Sequence, residues 1–291
     1  MSKITQSLVA HSGKYIVMPP HKAAQEGWAN LAEPNVQLDG GDSPMEYPVN
    51  TKFVDFDRTF IYGYCSAKGH TNVKSNLGLF NTNTPVEYAT WGGIAGAIGD
   101  TVCPFVTSTL DAYTEAIINL FAGGYMMPMF AGNVTYGCYR IVSSTVYAGG
   151  ADGSTETDMV IEEPGLQAVV DADAAYCYID KNPYTALRSN WLEYTQGDYQ
   201  SVMGVTLIDP TAETYQWVQT WGPIHMLGDE LGGKAGGLRS AYFNPDGTLE
   251  AGASVDLTTA HQPHYAGYII AYTYYSSAGV YGALIQLQLE R

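Results

Sequence analysis

The stretch Tyr215-Gln216-Trp217-Val218-Gln219-Thr220-Trp221-Gly222-Pro223 decides how the chain is read. Side chains alternate faces along an extended strand, so Tyr215, Trp217 and Trp221 share one side and Gln216, Val218 and Thr220 the other. An aromatic row of this kind either fills a core or offers flat rings to a ligand. In a two-layer β protein it turns inward, and Gly222-Pro223 closes the strand. The expectation is a core or subunit interface, with a sugar-stacking platform as the competing reading.

Short extended runs recur on both sides, over 125–130, 136–147, 175–179, 203–208, 267–275 and 280–289, separated by clusters of Gly, Pro, Asn and Asp. In the last run Tyr281, Ala283, Ile285, Leu287 and Leu289 alternate with Gln286, Gln288 and Glu290, which predicts one dry face and one wet face. Helical spacing occurs once. Leu110, Tyr113, Ile117 and Leu120, followed by Gly123-Gly124, predict one mid-length helix of about three turns. Residues 1–50 hold Pro19-Pro20, Pro34, Gly40-Gly41, Pro44 and Pro48, breakers too closely spaced for regular elements of normal length. They are expected to form an extended arm that packs on a neighbouring subunit. Lys52 to Phe56 and Thr59 to Cys65 read as two strands joined at Asp57-Arg58. The fold class expected is mainly β: an N-terminal arm over 1–50, a small β module over 51–105, and a β-rich main domain over 106–291 of sandwich or barrel type with one helix.

Charged residues make up only 14% of the chain while Tyr numbers 23 and Gly 32, so its surface must be built largely from Tyr and neutral polar residues. Such a surface resembles an interface more than a solvated exterior. The formal charge of −16 disfavours nucleic acid as a partner. No apolar run is long enough to span a bilayer as a helix and the N-terminus lacks the apolar core of a leader, so a soluble protein made in the cytoplasm is expected. Cys65, Cys103, Cys138 and Cys177 form no CxxC pair and read as reduced core thiols.

Motifs for a serine nucleophile elbow, a phosphate loop or a zinc hydrolase are missing. His261 and His264 are the nearest thing to a metal pair, but Pro263 prevents the helix that would stack both imidazoles. Oxygen-bearing side chains from Asp152 to Glu163 fall at positions 1, 3, 5, 7 and 12 of a calcium-loop spacing. Thr157 stands where that loop needs Gly, so a solvated hairpin connection is the preferred reading. The carboxylate pairs Asp171 with Asp173 and Asp229 with Glu230 read as charged loops. No catalytic residue, cofactor or metal is expected, and the chain reads as a non-enzyme. Trp191, Trp217 and Trp221 keep a carbohydrate-binding or glycan-hydrolysing reading open as the alternative.

From about residue 50 onward, short motifs follow in a fixed order: Arg58-Thr-Phe-Ile-Tyr, Ala122-Gly-Gly-Tyr, Tyr139-Arg-Ile, Asn182-Pro-Tyr, Gly204-Val and Trp217-Val-Gln-Thr-Trp-Gly-Pro. In this order the chain resembles a family of structural proteins from tailed-bacteriophage virions. The resemblance implies a virion component on the capsid surface that decorates or cements the shell. Its expected partners are the major capsid protein and copies of itself, with no nucleic acid and no membrane. The Pro-rich first 50 residues and the acidic loop from Asp152 to Glu163 depart from the family's pattern. A major capsid or tail structural role is a further alternative, disfavoured by the acidic charge and the single helix.

Overall fold

In a computed structural model of the chain, the decisive stretch lies within a strand of 15 residues, Thr214–Gly228, which runs straight through Gly222 and Pro223. The structure describes residues 8–11, 13–19, 34, 36, 40–42, 46–65, 76–81, 87–91, 96–106, 121–130, 134–135, 137–144, 156–170, 176–185, 187–188, 201–228, 239–244, 246–251, 264–275 and 280–289. The chain is mainly β. Among the described residues the one helical element is a single 3-10 turn, Pro183–Thr185. Of the helix expected over 108–121, residues 108–120 lie outside the described residues, and its last residue Phe121 is fully buried.

Two compact units make up the chain. The larger takes in Ser7–Pro19, Gln25–Thr82 and Pro183–Arg291, and the smaller is chiefly the insertion Asn83–Asn182 between them. Boundaries near 50 and 105 are thus replaced by a division in which one module interrupts the other. The physical reason is strand pairing at long range: Arg58–Cys65 finds its partner in Thr214–Gly228, not in the residues that follow it.

The sheet of the larger unit has Thr214–Gly228 at its hub. The first half of that strand pairs antiparallel with Arg58–Cys65 and its second half with Val280–Gln288. Along its other edge, at positions already paired on the first, it meets Gly40–Asp42, Val202–Thr206 and Leu249–Ala251. The N-terminal hairpin, Leu8–His11 with Lys14–Val17, joins this sheet through Lys52–Asp55. Ile16, Met18, Val36 and Tyr47 are buried beside Phe53, Tyr62 and Trp217. The arm expected over 1–50 is therefore corrected. Ile16, Met18, Val36 and Tyr47 of that segment belong to the core of their own unit, because the breakers separate short strands and these apolar residues between them find the sheet.

In the smaller unit pairing runs from Tyr125–Phe130 to Tyr139–Ser144, Glu156–Ile161, Val102–Val106, Glu87–Trp91 and Tyr176–Asp180, which pairs again with Tyr125–Phe130. The ladder of six strands closes on itself, leaving no free edge among them. Inside lie Cys103, Met126, Ile141, Met159, Cys177 and Ile179, all buried.

The alternation expected for the last strand is present: Ala283, Ile285 and Leu287 are fully buried while Gln286 and Gln288 are partly exposed. The period-2 reading of the opening stretch holds only as far as Gln219. Trp217 pairs with Tyr62 and Gln219 with Phe60, but Trp221, two residues on, pairs with Thr59, the very next residue of the partner strand. This is a β-bulge, and the extra residue moves Trp221 to the opposite face from Trp217. Gln219, itself buried, fixes the bulge by donating its side-chain amide to the carbonyls of Trp221 and Pro223, both at 3.1 Å. Gly222 follows at φ 98°, and a Cβ there would run into the Asp57 carbonyl and the Arg58 backbone.

Two substitutions test this hub. Trp217→Ala should cost about 3–5 kcal/mol by emptying a ring-sized volume from the core. Gly222→Ala should cost at least about 1–3 kcal/mol, since a side chain is forced into a backbone conformation it avoids and into the Asp57–Arg58 turn. Urea unfolding of each variant reads both; a Gly222→Ala protein as stable as the parent would refute the role given to the bulge.

Candidate functional site

The row Tyr215, Trp217, Trp221 divides into three environments. Trp217 is 1% exposed, with the rings of Tyr47, Phe53 and Tyr62 at centroid distances of 5.0, 5.9 and 5.0 Å. Its role is packing. Tyr215 is half-buried and stacks on Tyr62 at 5.8 Å with the planes 8° apart, and burial pushes its phenol above the usual range. Trp221 alone reaches a surface cleft.

Strand register builds that cleft. Tyr15 pairs with Val54, Val54 with Thr59 and Thr59 with Trp221, so these four side chains form one row across four strands. The adjacent row, Ile16, Phe53, Phe60 and Gln219, points to the other face and is buried. A cleft of about 550 Å³ lies over the outer row, bordered also by Lys52, Phe56 and Asp57 from the hairpin and by Gln286 from the last strand. Rings at its edge are accessible: Tyr15 is 38% exposed and Phe56 74%.

Phe56 occupies the first position of a two-residue hairpin turn, between Asp55 and Arg58, which are paired. Its φ is 54°, a conformation that this turn position usually gives to Gly. Its ring edge lies beside Gly13, a turn residue of the N-terminal hairpin. Asp55 ties the two hairpins together: its carboxylate, 6% exposed as a residue, receives Arg58 and, at 3.5 Å, Lys14. Arg58 in turn lies over the Phe60 ring at 5.4 Å.

The other sequence candidates do not converge. Trp191, His261, Asp171, Asp173, Asp229 and Glu230 lie outside the described residues. His264 begins the strand His264–Tyr275, where its Nδ1 accepts the Val202 N–H at 2.9 Å and burial lowers its pKa. Of the acidic stretch from Asp152 to Glu163, Glu156–Ile161 is a strand paired in register with Val102–Val106. Ligand positions that would have to wrap an ion are thus drawn out along a neighbour, which removes the calcium-loop reading for that part. Among the described residues no group of three or more His, Cys, Asp or Glu converges to hold a metal ion. Sequence reasoning missed Tyr15, Phe56 and Asp57 as site residues. Phe56 was assigned to a strand, and nothing local distinguished a turn that carries Phe where Gly is usual.

All four cysteines are free, and Cys65, Cys103 and Cys177 are buried while Cys138 is exposed. Burial raises the thiols of Cys65 and Cys103 to about 12, the latter helped by Asp100, and drives Cys177 well above its ordinary value. The reading as core thiols holds for three, and Cys138 is the exception, exposed beside the exposed Gly137. At about pH 8 a water-soluble disulfide reagent should therefore modify Cys138 at once and the other three only after unfolding. Rapid reaction of a second thiol in the native protein would contradict the packing described.

No protein-family model, no curated protein and no solved structure matches this chain.

Proposed function

We propose that this chain is a non-enzymatic structural protein of a tailed-bacteriophage virion, decorating or cementing the capsid through contacts with the major capsid protein and with copies of itself. The observation that carries the reading is a set of aliphatic side chains turned outward on the smaller unit: Ile98 is 67% exposed, Val169 58% and Val102 51%. Two backbone bonds of 2.9 Å between Gly96 and Val170 hold the segments bearing Ile98 and Val169 side by side. Apolar side chains displayed on rigid backbone, in a chain with only 14% charged residues, suit a surface that is covered in an assembly. The ordered motifs from Arg58 to Pro223 support the same family. A formal charge of −16 suits an outer layer better than a shell that lines packaged DNA, and so favours decoration over the major capsid role.

In this reading the larger unit is a β-sandwich-like module and the closed six-strand ladder a small barrel. The protein is made in the host cytoplasm and ends on the capsid surface.

Sedimentation of the purified protein should show a homo-oligomer. The double variant Ile98→Asp with Val169→Asp should sediment as a monomer with an unchanged unfolding midpoint, since both positions are exposed. Mass spectrometry of purified virions should find the chain among the structural proteins. A wild-type monomer at every concentration, together with its absence from particles, would sink the assembly reading.

A further inference from the structure

The cleft beside Trp221 is left unused by the assembly reading and lies on the other unit from the aliphatic patch. The geometry points to a neutral glycan as its ligand, a sugar ring laid against the aromatic rings of the lining with its hydroxyls met by the polar residues at the border. The volume, about 550 Å³, is within the ordinary range for small-molecule sites. Trp221, Tyr15 and Phe56 supply flat apolar faces of the kind that cover the C–H face of a pyranose. Around them Lys52 can only donate, Asp57 can only accept, and Thr59 and Gln286 can do both. That mixture matches hydroxyl groups, each of which donates and accepts.

Charge narrows the class. The one base and one acid of the lining cancel, so the cleft has no preference for a charged ligand. An anion would also meet the field of a chain carrying −16. A quaternary ammonium group would require an aromatic cage free of cations, and Lys52 stands at the border.

Phe56 adds an independent reason. A ring at φ 54° that remains 74% exposed incurs backbone strain without the burial that would offset it. Its placement is explained if a ligand covers it. This site differs from the platform the sequence suggested: it excludes Trp217 and recruits Tyr15 and Phe56. It does not depend on the protein being part of a virion.

The test uses the full chain and a panel of neutral hexasaccharides built from glucose, galactose, mannose or N-acetylglucosamine. Binding is read by saturation-transfer NMR and tryptophan fluorescence. At least one member should bind saturably and perturb the tryptophan emission. Trp221→Ala and Phe56→Gly should each weaken that binding about tenfold or more, which is about 1.4 kcal/mol. Phe56→Gly guards against misfolding as an explanation, because Gly relieves the turn and its unfolding midpoint should equal or exceed that of the parent. Ile98→Asp with Val169→Asp should leave binding unchanged, which separates this result from that of the assembly test. The proposal is overturned by any of three outcomes: no saturable binding at millimolar sugar, binding confined to sulfated or sialylated glycans, or binding untouched by Phe56→Gly.

Discussion

The larger unit depends on one strand having two sets of partners. Thr214–Gly228 must pair with Arg58–Cys65 along its first half and with Val280–Gln288 along its second. A regular ladder would keep Trp217 and Trp221 on one face. The bulge at Gln219–Trp221 breaks that constraint with one extra residue, and three neighbouring groups make it stable. Gln219 satisfies two carbonyls beside the extra residue, Gly222 takes the positive φ that follows, and Pro223 occupies a position where its missing N–H is tolerated. The result is a core tryptophan and a cleft tryptophan four residues apart.

The same strand is buried on both sides where it meets Arg58–Cys65. Trp217 belongs to the cluster with Phe53 and Tyr62, while Val218 packs with Ile61, Cys65 and Leu187 on the opposite face. Gln216 shares that second face and is fully buried, with neither amide atom hydrogen-bonded among the described residues. A buried amide left in this state costs about 1–3 kcal/mol.

Several parts of this architecture were legible in the sequence because they are set by local alternation. The last strand shows Ala283, Ile285 and Leu287 against Gln286 and Gln288, and one face is dry as expected. Trp217 was read correctly as core for the same reason. Trp221 was not, because a bulge is created by pairing with a distant strand and leaves only a weak local mark, here Gly222 and Pro223, which look like a strand end. The first 50 residues misled in a related way. Prolines and glycines showed where strands stop, but nothing near Ile16 or Tyr47 indicates that their partners are Phe53, Tyr62 and Trp217. The cleft was invisible for the same reason, since Tyr15, Thr59 and Trp221 become neighbours only through strand register.

The interruption of the larger unit by Asn83–Asn182 bears on how the chain is synthesised. Tyr62 and Trp217 are separated by 155 positions (217 − 62), which a ribosome takes about 8–30 seconds to add. During that interval the hairpin Lys52–Cys65 has emerged with the edge that Thr214–Gly228 will cover still unpaired, and the cluster of Phe53, Phe60 and Tyr62 still lacks Trp217. The inserted unit, whose six strands close without help from the rest of the chain, is complete before Thr214–Gly228 appears. The order of synthesis thus completes the strands of the inserted unit while the edge of Arg58–Cys65 still waits for its partner. That edge is the point at which chains on neighbouring ribosomes could pair wrongly, so slow translation across 183–213 would prolong the hazard and chaperone binding to Arg58–Cys65 would relieve it.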